Sequence, residues 1–229
     1  MDDINTRIVP SLHDRFAAWI LDHRRGFLVF ITVLLLGVVA WGTWQVVQGQ
    51  KDNKKLDKIY AFQEKNMKDW EAGTLSAADL AAAYQDLRRE VGPFYGIYPF
   101  AVALADELMS KGAINEVVPI LEDAMKNYVR GNPYRRYLVG SRLATVYENL
   151  GEEQKAIGVL QSLDASRTKL LPDKVKLDLG RLYRKIDPGK AKTYLQAVAD
   201  KSEVAEFSRI AKLYLQGLET SLSSAAVSP

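Results

Sequence analysis

A run of 22 residues from Gly26 to Val47 contains no charged side chain, and it constrains the chain more than any other feature. A helix rises ~1.5 Å per residue, so a helix over this run is ~33 Å long. The apolar core of a bilayer is ~30 Å thick. The run closes with Trp41 and Trp44, and tryptophan is frequent where lipid meets water. The sequence therefore predicts a retained transmembrane helix over residues 26–47.

Two alternatives to a retained anchor are a cleaved signal peptide and a buried helix of a soluble protein. The apolar region of a signal peptide is usually ~7–15 residues long and ends at a cleavage site of small residues. A buried helix needs a large core around it. The flanking charges almost balance, because Arg24 and Arg25 precede the run while Lys51, Lys54 and Lys55 follow it. A short N-terminal tail favours a cytoplasmic N-terminus, since long domains translocate largely regardless of charge.

The segment before the apolar run, residues 1–25, is predicted to be a tail with a short amphipathic helix. Ser11 and Asp14 have the spacing of a capping box at a helix start. An apolar stripe follows at helical spacing, formed by Leu12, Phe16, Trp19 and Ile20. Such a helix is suited to the surface of the inner leaflet or to a partner protein, and the sequence does not choose between them.

The residue composition disfavours an enzyme. The chain has no cysteine, and its two histidines, His13 and His23, both precede the apolar run. The remainder therefore lacks the residues for a Ser-His-Asp triad, a Cys-His pair or a His/Cys zinc site. Glycine-rich phosphate loops are missing as well, although chemistry by carboxylates alone stays open. We expect no catalytic, metal-binding or cofactor-binding residues, and a net charge of +3 is too small to indicate nucleic-acid binding.

Apolar residues recur with a helical period through residues 48–221, and strand-like alternation is lacking. One helix is predicted to continue from Lys51 to Trp70, with Leu56, Ile59, Tyr60, Met67 and Trp70 on one face. Ser76 and Asp79 form a second capping-box pattern. Residues 222–229 are predicted to be a disordered tail. This gives four segments: the tail 1–25, the anchor 26–47, a helical domain 48–221 and the tail 222–229.

Within the helical domain, a pattern of large and small apolar residues repeats at a spacing of 35 to 39 residues. Such periods are typical of stacked helix pairs. In each copy, a small residue beside a large one lets two helices approach closely, and a large residue four positions on shares the same face. The three copies contain Leu104, Ala105, Leu108, Gly112, Val117 and Leu121; Leu143, Ala144, Tyr147, Gly151, Ala156 and Leu160; and Leu179, Gly180, Tyr183, Ala191 and Leu195.

This pattern resembles the tetratricopeptide repeat (TPR) over about residues 95–200. The middle copy matches best. Leu108 stands where that repeat usually has an aromatic residue, Val117 replaces its alanine, and the turn Asp187–Gly189 replaces its glycine turn. The early tryptophan of that repeat is missing in all three copies. The resemblance implies a TPR-like α-solenoid of helix pairs. With the predicted transmembrane helix before it, the expected fold is all-α.

The order of segments, together with the stretch from Phe94 to Gly112, resembles the YfgM-type family of membrane-anchored, TPR-like proteins. The resemblance implies a single-pass protein of the bacterial inner membrane with a cytoplasmic N-terminus and a periplasmic repeat domain. It also implies association with the SecYEG translocon, with periplasmic chaperones or with client polypeptides.

Repeat proteins bury their own core and present a long surface for a partner. The candidate groove consists of first-helix residues that fall off the core positions, although a solvated face is the plainer interpretation. The sequence predicts a chaperone-like adaptor or, alternatively, a structural or assembly subunit of another envelope complex. The aromatic cluster at Phe94, Tyr95, Tyr98 and Phe100 fits a binding strip or a core and turn, and Tyr134–Tyr137 fits an anion site or a solvated helix start. The groove residues are Asp106, Ser110, Thr145, Glu148, Asn149, Arg181, Arg184 and Lys185.

Overall fold

The computed structural model describes the backbone of residues 24–166 and 169–227. Side chains are described for residues 33–45, 47–166 and 169–220. The predicted amphipathic helix of the first 25 residues lies almost entirely outside the described residues. The chain divides into two units, Met1–Lys54 and Lys55–Pro229.

Every regular element in the described part of the chain is helical, which confirms the all-α class. A π-helical segment, Gln63–Met67, follows the first helix, and a 3₁₀ turn, Tyr95–Ile97, precedes α4. The helices are α1 (Arg24–Phe62), α2 (Lys68–Glu71), α3 (Ala77–Val91), α4 (Tyr98–Ser110), α5 (Ile114–Asn127), α6 (Pro133–Asn149), α7 (Glu153–Asp164), α8 (Pro172–Ile186), α9 (Pro188–Lys201) and α10 (Ala205–Val227).

The first unit contains the N-terminal part of α1. Its described apolar side chains, including Val33 and Leu36, are exposed, and the rings of Trp41 and Trp44 lie 5.9 Å apart. None of the helices in the described residues is both long and apolar enough to cross a membrane. The side chains of residues 26–32 and of Val46, which belong to the charge-free run, lie outside this description. The transmembrane helix over residues 26–47 therefore stays a prediction.

The second unit is a series of helix pairs in which each helix from α4 to α10 packs against the next. The core is formed by apolar side chains, and no polar or charged residue is fully buried within the described region. Leu80 and Tyr84 of α3, with Ile59 and Phe62 of α1, extend this core beyond the first repeat copy. Residues 55–91 therefore add further helices to the same core.

The predicted face of Leu56, Ile59, Met67 and Trp70 does pack against the core, and only Tyr60 was placed on it wrongly. Tyr60 is 60% exposed, whereas Phe62, which lies outside the predicted stripe, is 7% exposed. The π-helical segment that follows Phe62 has one more residue per hydrogen-bonded turn than an α-helix. It begins after both Tyr60 and Phe62, so their burial reflects the stripe of α1 itself, which is centred on Ile59 and Phe62.

The repeat positions predicted from the sequence form the core. Leu104, Leu143 and Leu179, at the same place in the three copies, are each at most 3% exposed. The first two copies turn at Gly112 and Gly151, whose φ angles of +78° and +74° are left-handed. A residue with a β-carbon is strained in this conformation, which explains a glycine at both turns.

The third copy turns without a glycine of this kind. The side chain of Asp187 accepts a hydrogen bond of 3.0 Å from the backbone N–H of Lys190, and Pro188 occupies the first turn of α9. Proline suits that position because its nitrogen has no hydrogen to donate. The tight turn explains why the third copy is shorter than the others. After it, α10 packs on α8 and α9 and is helical to Val227, within the segment predicted as a tail.

Candidate partner-binding groove

A groove lies between α6 and α8, the first helices of the second and third repeat pairs. Its volume is about 290 Å³. The two helices place polar side chains here because their apolar stripes face the second helices α7 and α9. The lining residues are Tyr137, Ser141, Ala144, Thr145, Glu148, Asn149, Leu160, Lys174, Asp178 and Arg181.

Four of the eight predicted groove residues line this cavity: Thr145, Glu148, Asn149 and Arg181. Other polar residues of this lining, one or two helical turns earlier on the same helices, were not predicted from the sequence. Extending the period of Thr145 and Arg181 towards the N-terminus of each helix identifies these positions. The polar residues that were missed are Tyr137, Ser141, Lys174 and Asp178.

Glu148 and Arg181 form an ion pair across the groove. Arg181 Nη2 donates to Glu148 Oε2 at 2.7 Å, and Arg181 Nη1 donates to Glu148 Oε1, so the contact is bidentate. The hydrogen bond from Arg181 lowers the pKa of Glu148 below its usual value, and the same contact raises the pKa of Arg181. This pair joins the second repeat to the third and neutralises two of the charges predicted to meet a partner.

The preceding pair of first helices, α4 and α6, is joined in the same way. Arg142 Nε and Nη2 donate to Asp106 Oδ1 and Oδ2 at 2.7 and 2.9 Å. Ser110, the other predicted residue on α4, donates its hydroxyl to the backbone carbonyl of Glu107 at 2.8 Å. Asp106 and Ser110 are not among the residues that line the groove between α6 and α8.

The remaining two predicted residues, Arg184 and Lys185, line a second cavity of about 470 Å³. We call it the terminal pocket. It shares Glu148 and Arg181 with the groove, so the two cavities adjoin. The lining residues are Glu148, Glu153, Arg181, Leu182, Arg184, Lys185, Ile186 and Leu218.

Charge is distributed unevenly along the repeats. In residues 98–127, which contain α4 and α5, five acidic side chains outnumber two lysines. In residues 172–201, which contain α8 and α9, eight basic side chains outnumber four aspartates. The basic residues of the last repeat pair are Lys174, Lys176, Arg181, Arg184, Lys185, Lys190, Lys192 and Lys201, and the aspartates are Asp173, Asp178, Asp187 and Asp200.

The aromatic cluster around the start of α4 is mostly structural. Phe100 is buried, and its ring meets that of Phe62 edge-on at 5.4 Å. The guanidinium of Arg135 lies 5.3 Å from the ring centroids of both Tyr95 and Tyr98. These cation–π contacts of Arg135 link the turn to the start of α6, which favours the core-and-turn interpretation for these residues.

No family model, curated protein or solved structure matches this chain. The second unit belongs to the class of all-α folds that are built from packed helix pairs.

Proposed function

We propose that the chain is a membrane-anchored, TPR-like module for protein–protein interaction, a chaperone-like adaptor associated with the translocon of the bacterial envelope. One observation carries the interaction part: the groove between α6 and α8 is lined by polar side chains that the core does not use. Partner proteins, such as the SecYEG translocon, periplasmic chaperones or client polypeptides, bind across this face. The YfgM-type resemblance supports these partners.

The anchor is the second part of the proposal. Residues 26–47 cross the inner membrane once, with the N-terminus in the cytoplasm and the repeats in the periplasm. The charge-free run from Gly26 to Val47 supports this, as does the short tail before it. Alkaline carbonate should leave the protein in the membrane pellet. Protease added to spheroplasts should trim the repeats, whereas digestion only after lysis would show the opposite orientation.

The groove is tested by capturing partners with the full-length chain, solubilised from membranes in a mild detergent. Thr145 and Asn149 are exposed, so Thr145→Arg and Asn149→Arg together fill the groove without touching the core. Asn115→Arg is the matched control, since Asn115 is an exposed residue of α5 outside the groove. We expect the groove variant to lose its captured proteins while the control keeps them.

A structural or assembly subunit of another envelope complex is the alternative. In that case, the partners should stay bound to the groove variant, because contacts along the anchor and the outer helix faces hold the complex together. Identification of the bound proteins separates the two functions, and equal capture by both variants would rule against the groove as the partner site.

A further inference from the structure

Arg184 carries a charge that the described part of the chain does not neutralise. Its guanidinium lies 5.1 Å from the ring centroid of Tyr214, and its Nε atom is buried without a hydrogen-bond partner. No described carboxylate forms an ion pair with it. A partly buried charge is normally paired, because its loss of hydration is otherwise uncompensated. Arg184 is therefore suited to an anion supplied from outside the chain.

Arg184 is also held in position. A β-carbon on Gly217 of α10 would come within 3.2 Å of Arg184 Nη2, so the backbone of α10 lies close beside the guanidinium. Packing of Arg184 against the ring of Tyr214, which also belongs to α10, leaves its side chain little freedom to lose on binding. A donor that is already in place binds an anion at a smaller entropic cost than a mobile one.

The walls around Arg184 are both charged and apolar. Lys185 and Ile186 are exposed at the terminal pocket, whereas Leu182 and Leu218 form a buried apolar wall. The pocket volume of about 470 Å³ is within the range of ordinary ligand pockets, which is ~300–1,000 Å³. It can hold a carboxylate together with one large apolar side chain.

We propose that the terminal pocket binds an acidic segment of a partner protein, with a carboxylate on Arg184 and Lys185 and an apolar side chain against Leu182 and Ile186. The excess of basic residues in α8 and α9 extends this complementarity beyond the pocket. The proposal rests on the proposed interaction function and names the chemistry of its partner. Glu153 also lines the pocket and repels the same ligand.

The experiment measures fluorescence anisotropy with full-length protein in detergent. The probe is a labelled, amidated heptapeptide of three Asp, three Glu and a central Phe, and its neutral counterpart carries Asn and Gln instead. We expect the acidic peptide to bind and the neutral one to bind about tenfold more weakly or not at all. Arg184→Gln should weaken binding about tenfold, since a charge-assisted hydrogen bond is lost.

Glu153→Gln and Lys126→Gln complete the test. Glu153→Gln should strengthen binding severalfold, because it removes the repelling charge, and a purely structural role for the pocket does not produce this opposite sign. Lys126→Gln, an exposed lysine of α5, should leave binding within twofold. Lys185→Gln serves as a second variant at an exposed position if Arg184→Gln fails to fold, as judged by circular dichroism.

Three outcomes would overturn the inference. They are equal binding of both peptides, no weakening by either pocket variant, and binding to anionic phospholipid vesicles with none to the acidic peptide. The proposed function fails separately, when the groove variant at Thr145 and Asn149 keeps all its captured proteins. Groove-dependent capture without binding of the acidic peptide refutes the inference alone.

Discussion

Gly180 of α8 packs directly against Leu195 of α9. A β-carbon on Gly180 would come within 2.6 Å of Leu195 Cγ and 3.4 Å of its backbone nitrogen. The two residues occupy equivalent places in the repeat to Ala144 and Leu160 of the preceding copy. The small residue at this position therefore sets how closely the two helices of the third pair approach.

Gly180→Ala should destabilise the fold by about 1–3 kcal/mol, because the added methyl group overpacks the contact with Leu195. Gly158→Ala is the control, since a β-carbon on Gly158 meets nothing within 4 Å. Replacing an exposed helical glycine by alanine typically stabilises by about 0.5–1 kcal/mol. Urea unfolding of the full-length chain, followed by circular dichroism, should give opposite signs for the two variants. Equal effects would disprove the close approach of α8 and α9.

Tyr147→Ala should destabilise the chain by about 3–5 kcal/mol, the usual cost of truncating a buried aromatic side chain. Tyr147 is 4% exposed, and its hydroxyl donates to Glu122 Oε1 of α5. Tyr147→Phe keeps the ring and loses only this hydrogen bond, for about 0.5–1.5 kcal/mol. The same unfolding experiment should rank alanine well below phenylalanine, and similar losses would show that the ring contributes little to packing.

The repeat core could be predicted from the sequence because each pair uses the same side chains for the same contact. Leu143 and Tyr147 lie four residues apart on one helix, and Ala156 follows at the place where the second helix crosses. A helical period reports which side of a helix is apolar. It therefore identifies the core positions without knowledge of the neighbouring helices.

The charge pairs between successive first helices could not be predicted in the same way. Asp106 with Arg142, and Glu148 with Arg181, lie 36 and 33 residues apart in the chain. Their contact depends on the distance between the first helices of successive pairs, which a helical period does not contain. Tyr60 was misplaced because the buried stripe of α1 is centred on Ile59 and Phe62, three residues apart, and Tyr60 lies outside it.

Tyr128 should make the fold sensitive to alkaline pH. Burial raises its pKa to about 12, with Arg88 nearby opposing the shift and Asp123 adding to it. An unfolded tyrosine has a pKa of ~10. The stability due to this shift is fully present below pH ~10 and is lost as the pH rises through about 12.

The free energy of unfolding of the Tyr128→Phe variant should therefore fall less steeply with rising pH than that of the wild type above pH ~10. At pH 7 the change should have little effect, because the buried hydroxyl forms no hydrogen bond of good geometry among the described residues. Tyr134→Phe is the control, since Tyr134 is 67% exposed. The measurement is urea unfolding at a series of alkaline pH values. A Tyr134→Phe variant that behaves like Tyr128→Phe would show that burial is not the cause.

The ion pair between Glu148 and Arg181 should couple the second repeat pair to the third. Each of its two side chains is about one-third exposed, so we expect a modest coupling free energy of about 0.2–1 kcal/mol at neutral pH. A double-mutant cycle with Glu148→Gln and Arg181→Gln measures it by urea unfolding. The control cycle uses Glu64 and Lys68, which are joined within one turn and are much more exposed.

The coupling between Glu148 and Arg181 should also depend on pH, because the hydrogen bond from Arg181 lowers the pKa of Glu148. The coupling should be complete above the pKa of an unfolded glutamate, ~4.3, and vanish as the pH falls through the lower pKa of Glu148 in the folded state. Coupling that persists unchanged at pH 2, or that matches the Glu64–Lys68 pair at every pH, would show that this bridge does not join the two repeats energetically.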